Sequence, residues 1–89
     1  MSETYLEVCY RHGRPIAAYY YLPRRPGQKS CRARSLADGI VVDYNRAGQP
    51  IGIEIVAPAS MTVARMNRVL RMLGQSPVTR RDLAPLRAA

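Results

Sequence analysis

Apolar positions alternate with polar ones through the first two-thirds of the chain, then recur at spacings of three and four. The alternation is cleanest in G-I-V-V-D-Y-N-R-A-G-Q-P-I-G-I-E-I-V, residues 39–56. Period two is the signature of a half-buried strand, and two such runs around a glycine-containing turn predict a β-hairpin. A four-residue loop, Asn45-Arg46-Ala47-Gly48, closed by Gly48 in the left-handed region, sets Tyr44 opposite Gln49, Val42 opposite Ile51 and Ile40 opposite Ile53. That register gathers Ile40, Val42, Ile51 and Ile53 on one face. A slip of one residue splits them between two faces. The other face carries Val41, Asp43, Gly52, Glu54 and Val56, neither plainly core nor plainly solvent.

The same reading extends in both directions. Residues 4–11 predict a first strand with Leu6, Val8 and Tyr10 on one side and Tyr5, Glu7 and Cys9 on the other. A turn at His12-Gly13-Arg14 with Gly13 at positive φ leads to a second strand over 16–22. There Ile16, Ala18, Tyr20 and Leu22 oppose Ala17, Tyr19 and Tyr21, and bulk on both faces points to a central strand. P-R-R-P-G-Q-K, residues 23–29, breaks regular structure and predicts an exposed basic loop. A third strand over 30–36 has a weak apolar side and outward arginines, as suits a sheet edge. After the fifth strand, Ser60 is the expected N-cap of a helix over 61–73, whose stripe is Val63, Met66, Val69, Leu70 and Leu73. Gly74 and Pro77 stop it. Thr79-Arg80-Arg81-Asp82 has the form of a capping box opening one short turn, and residues 86–89 are expected to fray.

The fold class expected is therefore α+β: an antiparallel β-meander of four to five strands followed by one amphipathic C-terminal helix packed on one sheet face. A single domain spans residues 1–89, with the sheet over about 4–57, the helix over about 60–73 and a short helical turn or tail over 79–89.

Composition changes this picture in two ways. The chain has 89 residues, and a chain of that size buries only roughly 60–65% of its unfolded surface, which favours association. Its aromatic set is six Tyr with no Phe or Trp, and tyrosine suits half-buried sheet faces and subunit interfaces. A homodimer is the expectation. Fourteen Lys+Arg against six Asp+Glu give +8. Codon usage in a GC-rich genome accounts for an arginine excess as readily as selection does; the functional alternatives are a polyanion or a small acidic protein partner, both drawn by a positive field. Cys9 and Cys31 form neither a metal motif nor a disulfide framework and read as buried or half-buried thiols. With no apolar leader and no run of eighteen apolar residues, the expected location is cytoplasmic, without membrane insertion.

Little in the chain carries catalytic chemistry. Asp43 and Glu54 lie diagonal to one another on one sheet face, an arrangement able to hold a divalent ion or move protons, but no His or third carboxylate joins them. Ion pairs with Arg32 or Arg34 of the third strand are the expectation instead. His12 is the only histidine and sits in a turn. No nucleophile–His spacing and no phosphate-cradling glycine loop is present, so no enzyme, cofactor or metal site is expected. Gly52, inside a strand, leaves a notch that Tyr19 or Tyr21 can fill. Arg24, Arg25, Lys29, Arg32 and Arg34 cluster just after Tyr19-Tyr20-Tyr21, a combination that could contact phosphates and stack on bases.

The block V-V-D-Y-N-R-A-G-Q-P-I-G-I-E-I, residues 41–55, resembles the signature of a small bacterial family of unknown function, the domain of unknown function 2283 type. That signature reads roughly V-D-x-D-x-x-G-x-V-V-G-I-E-I-L, and here Asp43, Gly48, Gly52 and Glu54 match it. Tyr10 and Ala17-Ala18-Tyr19-Tyr20 resemble the family's opening hairpin, whereas Arg11 and Ile16 replace its usual acids. The resemblance covers roughly residues 5–57. It implies a small β-meander with a C-terminal helix in longer members and no established activity; some members resemble partners of small toxin-type proteins, which suggests an antitoxin role. The functional expectation is accordingly a non-catalytic protein-interaction module, homodimeric and antitoxin-like. The alternative is a nucleic-acid-binding protein using the arginine-rich loop and edge strand.

Overall fold

The computed structural model describes residues 3–23 and 27–87, with the side chain of Arg87 left out. Five strands form one antiparallel sheet: β1 (Tyr5–Arg11), β2 (Arg14–Tyr21), β3 (Arg32–Ala37), β4 (Ile40–Tyr44) and β5 (Pro50–Ile55). A single 3-10 turn, Pro58–Ser60, leads to helix α1 (Val63–Met72), and a second, Ala84–Arg87, closes the described chain. The protein is an α+β domain with the helix following the sheet.

Strand order is β1-β2-β5-β4-β3. The hairpin β1-β2 and the meander β3-β4-β5 are each local. The 22–31 connection joins them by carrying the chain from the middle of the sheet to its far edge. β2 thereby gains a neighbour on both sides, consistent with its bulk on both faces, and β3 is an edge strand, as its arginines indicated.

The core lies on one side only. Ala18, Tyr20 and Leu22 of the β2 segment, Ile53 and Ile55 of β5, and Ile40 and Val42 of β4 are buried beneath Met61, Met66, Val69, Leu70, Val78, Leu83 and Leu86. Leu6, Val8 and Leu36 pack at its border. No helix among the described residues is long and apolar enough to cross a membrane.

Several local expectations need correction. In the β4–β5 hairpin Val42 stands opposite Ile53 and Ile40 opposite Ile55, two residues from the register expected. One residue of the shift comes from the loop. Asn45 and Gln49 pair with each other, the Asn45 N–H donating to the Gln49 carbonyl at 2.9 Å, which leaves a three-residue loop ending in Gly48 at φ 83°. The second comes from a bulge beside Asp43 and Tyr44, which leaves Ile51 as the extra residue. Because side chains alternate with period two, a shift of two returns each to its expected face, and Ile51, Ile53 and Ile55 are all buried. Asn45 is 5% exposed and satisfied: its Oδ1 accepts from the Gln49 N–H at 2.9 Å, and its Nδ2 donates to the Gln49 side chain at 3.0 Å.

Ile16, expected to share a face with Ala18, Tyr20 and Leu22, is 51% exposed whereas those three are buried. A bulge leaves it without a partner on β1, and pairing of β2 with β5 begins only at Ala18. The turn before it holds two left-handed residues, His12 at φ 52° and Gly13 at φ 76°, which matches the twist of a two-residue hairpin. The N-cap of α1 is Thr62, whose hydroxyl accepts from the Arg65 N–H at 3.1 Å; Ser60 belongs to the preceding 3-10 turn. Arg65 reaches back to donate to the carbonyls of Ser60 at 3.1 Å and Asp38 at 2.7 Å, pinning the helix start to the β3–β4 turn. After Gly74, the Gln75 N–H donates to the Leu70 carbonyl at 2.8 Å, closing the helix as expected.

The segment after α1 is part of the core through Val78, Leu83 and Leu86. The Asn67 side chain clamps it, accepting from the Val78 N–H at 2.7 Å and donating to the Val78 carbonyl at 3.1 Å. Thr79 and Asp82 form the reciprocal capping pair the sequence predicts. Leu86, expected to fray, is 3% exposed, because the 3-10 turn points it at the sheet beside Leu83. Ala88 and Ala89 lie outside the described residues.

Candidate functional site: the open face of the sheet

With the helix and the C-terminal turns on one side of the sheet, no described segment covers the other. Strand register defines its rows. Tyr5, Tyr21, Gly52, Asp43 and Ala33 lie side by side across β1-β2-β5-β4-β3. Beside them run Glu7, Tyr19, Glu54, Val41 and Ser35. The next row starts with Cys9 and Ala17, and Val56 continues it just past the end of β5.

The tyrosines on this face hold one another. Tyr5 and Tyr21 stack with ring centroids 4.3 Å apart, and Tyr19 meets Tyr21 edge-on at 4.7 Å. Tyr19 lies across β5 at Gly52, and a Cβ there would overlap its hydroxyl and ring. The expected notch is real, and Tyr19 fills it. Crossing it lets the Tyr19 hydroxyl donate to Asp43 Oδ2 at 2.6 Å, a short bond to a charged acceptor. The Tyr21 hydroxyl donates to Glu7 Oε1 at 3.1 Å. Partial burial, then Glu7, then Tyr5, push the Tyr21 hydroxyl from its ordinary 10.0 up to about 12. The Tyr21 hydroxyl is therefore held more firmly in its neutral, donating form.

This geometry corrects the expected partners of the acids. Arg32 stands opposite Tyr44 and Arg34 opposite Val42, so both arginines project from the helix side of the sheet. Asp43 and Glu54 project from the other side, as a diagonal pair, and Asp43 is bound by Tyr19 instead. Three of the six acids of a +8 chain, Glu7, Asp43 and Glu54, therefore share the open face with three tyrosines. Glu7 and Tyr5 were legible as an outward pair on the first strand. Their alignment with Tyr21 depends on the β1–β2 register.

The basic set does not join them. Lys29, Arg32 and Arg34 are exposed, and Arg24 and Arg25 lie outside the described residues. Lys29 and Arg46 line an open groove of about 640 Å³ with Gly27, Ser30, Cys31 and Asn45. A second groove, of about 680 Å³, lies between Met61, Val63, Leu83 and Leu86, with Arg80 and Arg81 at its rim. Cys9 and Cys31 are exposed free thiols, not buried ones, since each lies on the uncovered side or edge of the sheet. Among the described residues no group of three or more His, Cys, Asp or Glu is placed to hold a metal ion.

Compared with known proteins, the chain matches no family model, no curated relative and no solved structure.

Proposed function

We propose that this chain is a non-catalytic protein-interaction module that pairs with itself through the open face of its sheet. The observation that carries the reading is that face itself. It presents Tyr5 at 46% exposure, stacked on Tyr21, with Val56 at 50% exposure and small residues Cys9, Ala17 and Ala33 between. Tyrosines held by ring contacts and carboxylates offer a large contact area already fixed in place, so little entropy is lost when a partner covers them. A two-layer domain with an aromatic second face is completed by a third layer, and a second copy supplies one.

An antitoxin-like role, masking a small acidic protein drawn by the +8 field, is compatible with this module and rests on the family resemblance of residues 41–55. The nucleic-acid alternative draws on Lys29 and Arg46 along their shared groove. Against it, tyrosines able to stack on bases share their face with three carboxylates, which repel phosphates.

Light scattering over a concentration series, on the wild type and on Ala17→Arg, tests the proposal. A dimer in the wild type and a monomer in the variant, both with unchanged circular dichroism, is the expected result. A monomeric wild type that retains RNA or DNA until moderate salt strips it would replace this reading with the alternative.

A further inference from the structure

Resting on the reading that the open face pairs with itself, we infer the arrangement of the pair. Two copies meet face to face about a twofold axis that runs across the strands, over the row Cys9, Ala17 and Val56. The first hairpin of each copy lies over the tyrosine stack of the other.

Charge selects this arrangement. Along β1 and β2 the open face changes from acidic to basic. Tyr5 and Tyr21 form one row, Glu7 and Tyr19 the next, and Cys9 and Ala17 a neutral third row. Arg11 and Arg14, paired at the hairpin end, form the fourth. Tyr10 confirms the alternation: its hydroxyl donates to the Pro85 carbonyl at 2.8 Å on the helix side, so Arg11 belongs to the open side. An axis over the neutral row lays the second row of one copy on the fourth row of the other. Glu7 then faces the Arg11–Arg14 pair of the second copy, and the same contact recurs by symmetry, as an isologous interface requires.

The hairpin tip, His12-Gly13, comes over the Tyr5–Tyr21 stack, where an arginine stem and guanidinium can lie on an aromatic ring. The alternatives set like on like. An axis over the second row puts Glu7 on Glu7 and Glu54 on Glu54, and an axis along the strands through β5 also puts Glu54 on Glu54.

The contact is small. β3, β4 and β5 end at the row of the axis, so the overlap is that of the two hairpins alone. Two strands at about 4.8 Å spacing over a length of about 27 Å give roughly 260 Å² per copy. Counted over both copies this lies below the roughly 1,000 Å² of stable specific interfaces, in the range of weak, transient ones. The small residues Cys9 and Ala17 at the axis let the two sheets approach to the usual spacing of about 10 Å. Association at this size is concentration-dependent, not obligate.

The two exposed thiols discriminate the arrangement. Cys9 lies at the axis, so the two Cys9 thiols face one another. Cys31 lies three rows away, which sets its two copies about 40 Å apart at roughly 3.4 Å per residue. In full-length protein carrying Cys31→Ser, a short bis-maleimide is expected to give a covalent dimer. In Cys9→Ser it is expected to give none. Glu7→Arg and Arg11→Glu are each expected to weaken association on the order of tenfold, and the double exchange to restore it, since each copy then carries the reversed pair. Circular dichroism checks that the variants remain folded. A dimer that cross-links through Cys31 and not Cys9, or that the double exchange fails to restore, overturns this arrangement and leaves the homodimer standing. A single-chain mass at every concentration overturns both.

Discussion

Replacing Gly52 by alanine tests the tyrosine lattice most directly. A single methyl at this position occupies the space of the Tyr19 hydroxyl and ring. The methyl cannot move, because it stands on a central strand paired on both sides with β2 and β4. The ring must therefore swing away, and in doing so it gives up its 2.6 Å bond to Asp43 and its edge contact with Tyr21. A hydrogen bond to a charged group contributes about 1.5–3 kcal/mol, and partial exposure puts this one near the lower limit. An aromatic edge contact adds about 0.5–1.5 kcal/mol. Against these losses, alanine restricts the unfolded chain and returns about 0.4–1 kcal/mol. The net expectation is a destabilisation of about 1–2 kcal/mol, or a fall in Tm of roughly 4–16 °C for a domain of this size.

Urea unfolding of Gly52→Ala, Tyr19→Ala and the double variant isolates the cause. If the clash with Tyr19 is responsible, the alanine costs nothing once the ring is gone and is slightly stabilising there. The coupling between the two sites should then exceed the loss seen in Gly52→Ala alone by that small gain. A neutral Gly52→Ala, or one equally damaging in both backgrounds, would refute the reasoning.

Two further predictions concern the far side of the core and the tyrosine stack. Leu86→Ala should destabilise by about 2–4 kcal/mol, measured by denaturant midpoint, because Leu86 is 3% exposed in the main cluster; a frayed tail would give almost no change. In a phenolate absorbance titration, one tyrosine should ionise about two pH units above its unfolded value. Since the Tyr21 pKa is raised on folding, its contribution to stability is fully present below pH 10.0 and is lost as pH rises toward about 12. Glu7→Gln should lower that pKa and bring the loss to lower pH, whereas an unshifted titration would mean the Tyr21–Glu7 bond contributes nothing.

Much of the fold was legible along the chain. Period-two alternation identified all five strands and assigned most side chains to the correct face. The spacing of Met66, Val69 and Leu70, followed by Gly74, identified the helix, and the Thr79–Asp82 pair announced the closing turn. A glycine inside a strand signalled a close approach, and Tyr19 makes it. These are short-range properties, decided by a residue and its neighbours within a turn or a pleat.

The tertiary structure decided what lies across from what. Whether Val42 opposes Ile51 or Ile53 depends on a bulge and a loop that each change the count by one, and patterning is blind to their sum because a shift of two preserves every face. Insertion of β2 beside β5 depends on where the 22–31 connection travels, which no local period encodes. That insertion carries Tyr19 to within reach of Asp43. The pairing of β3 with β4 puts Arg32 and Arg34 on the opposite side of the sheet from the acids. The candidate site is therefore a product of register: alternation supplied its residues in separate strands, and only long-range hydrogen bonding between those strands could bring three tyrosines and three carboxylates onto one surface.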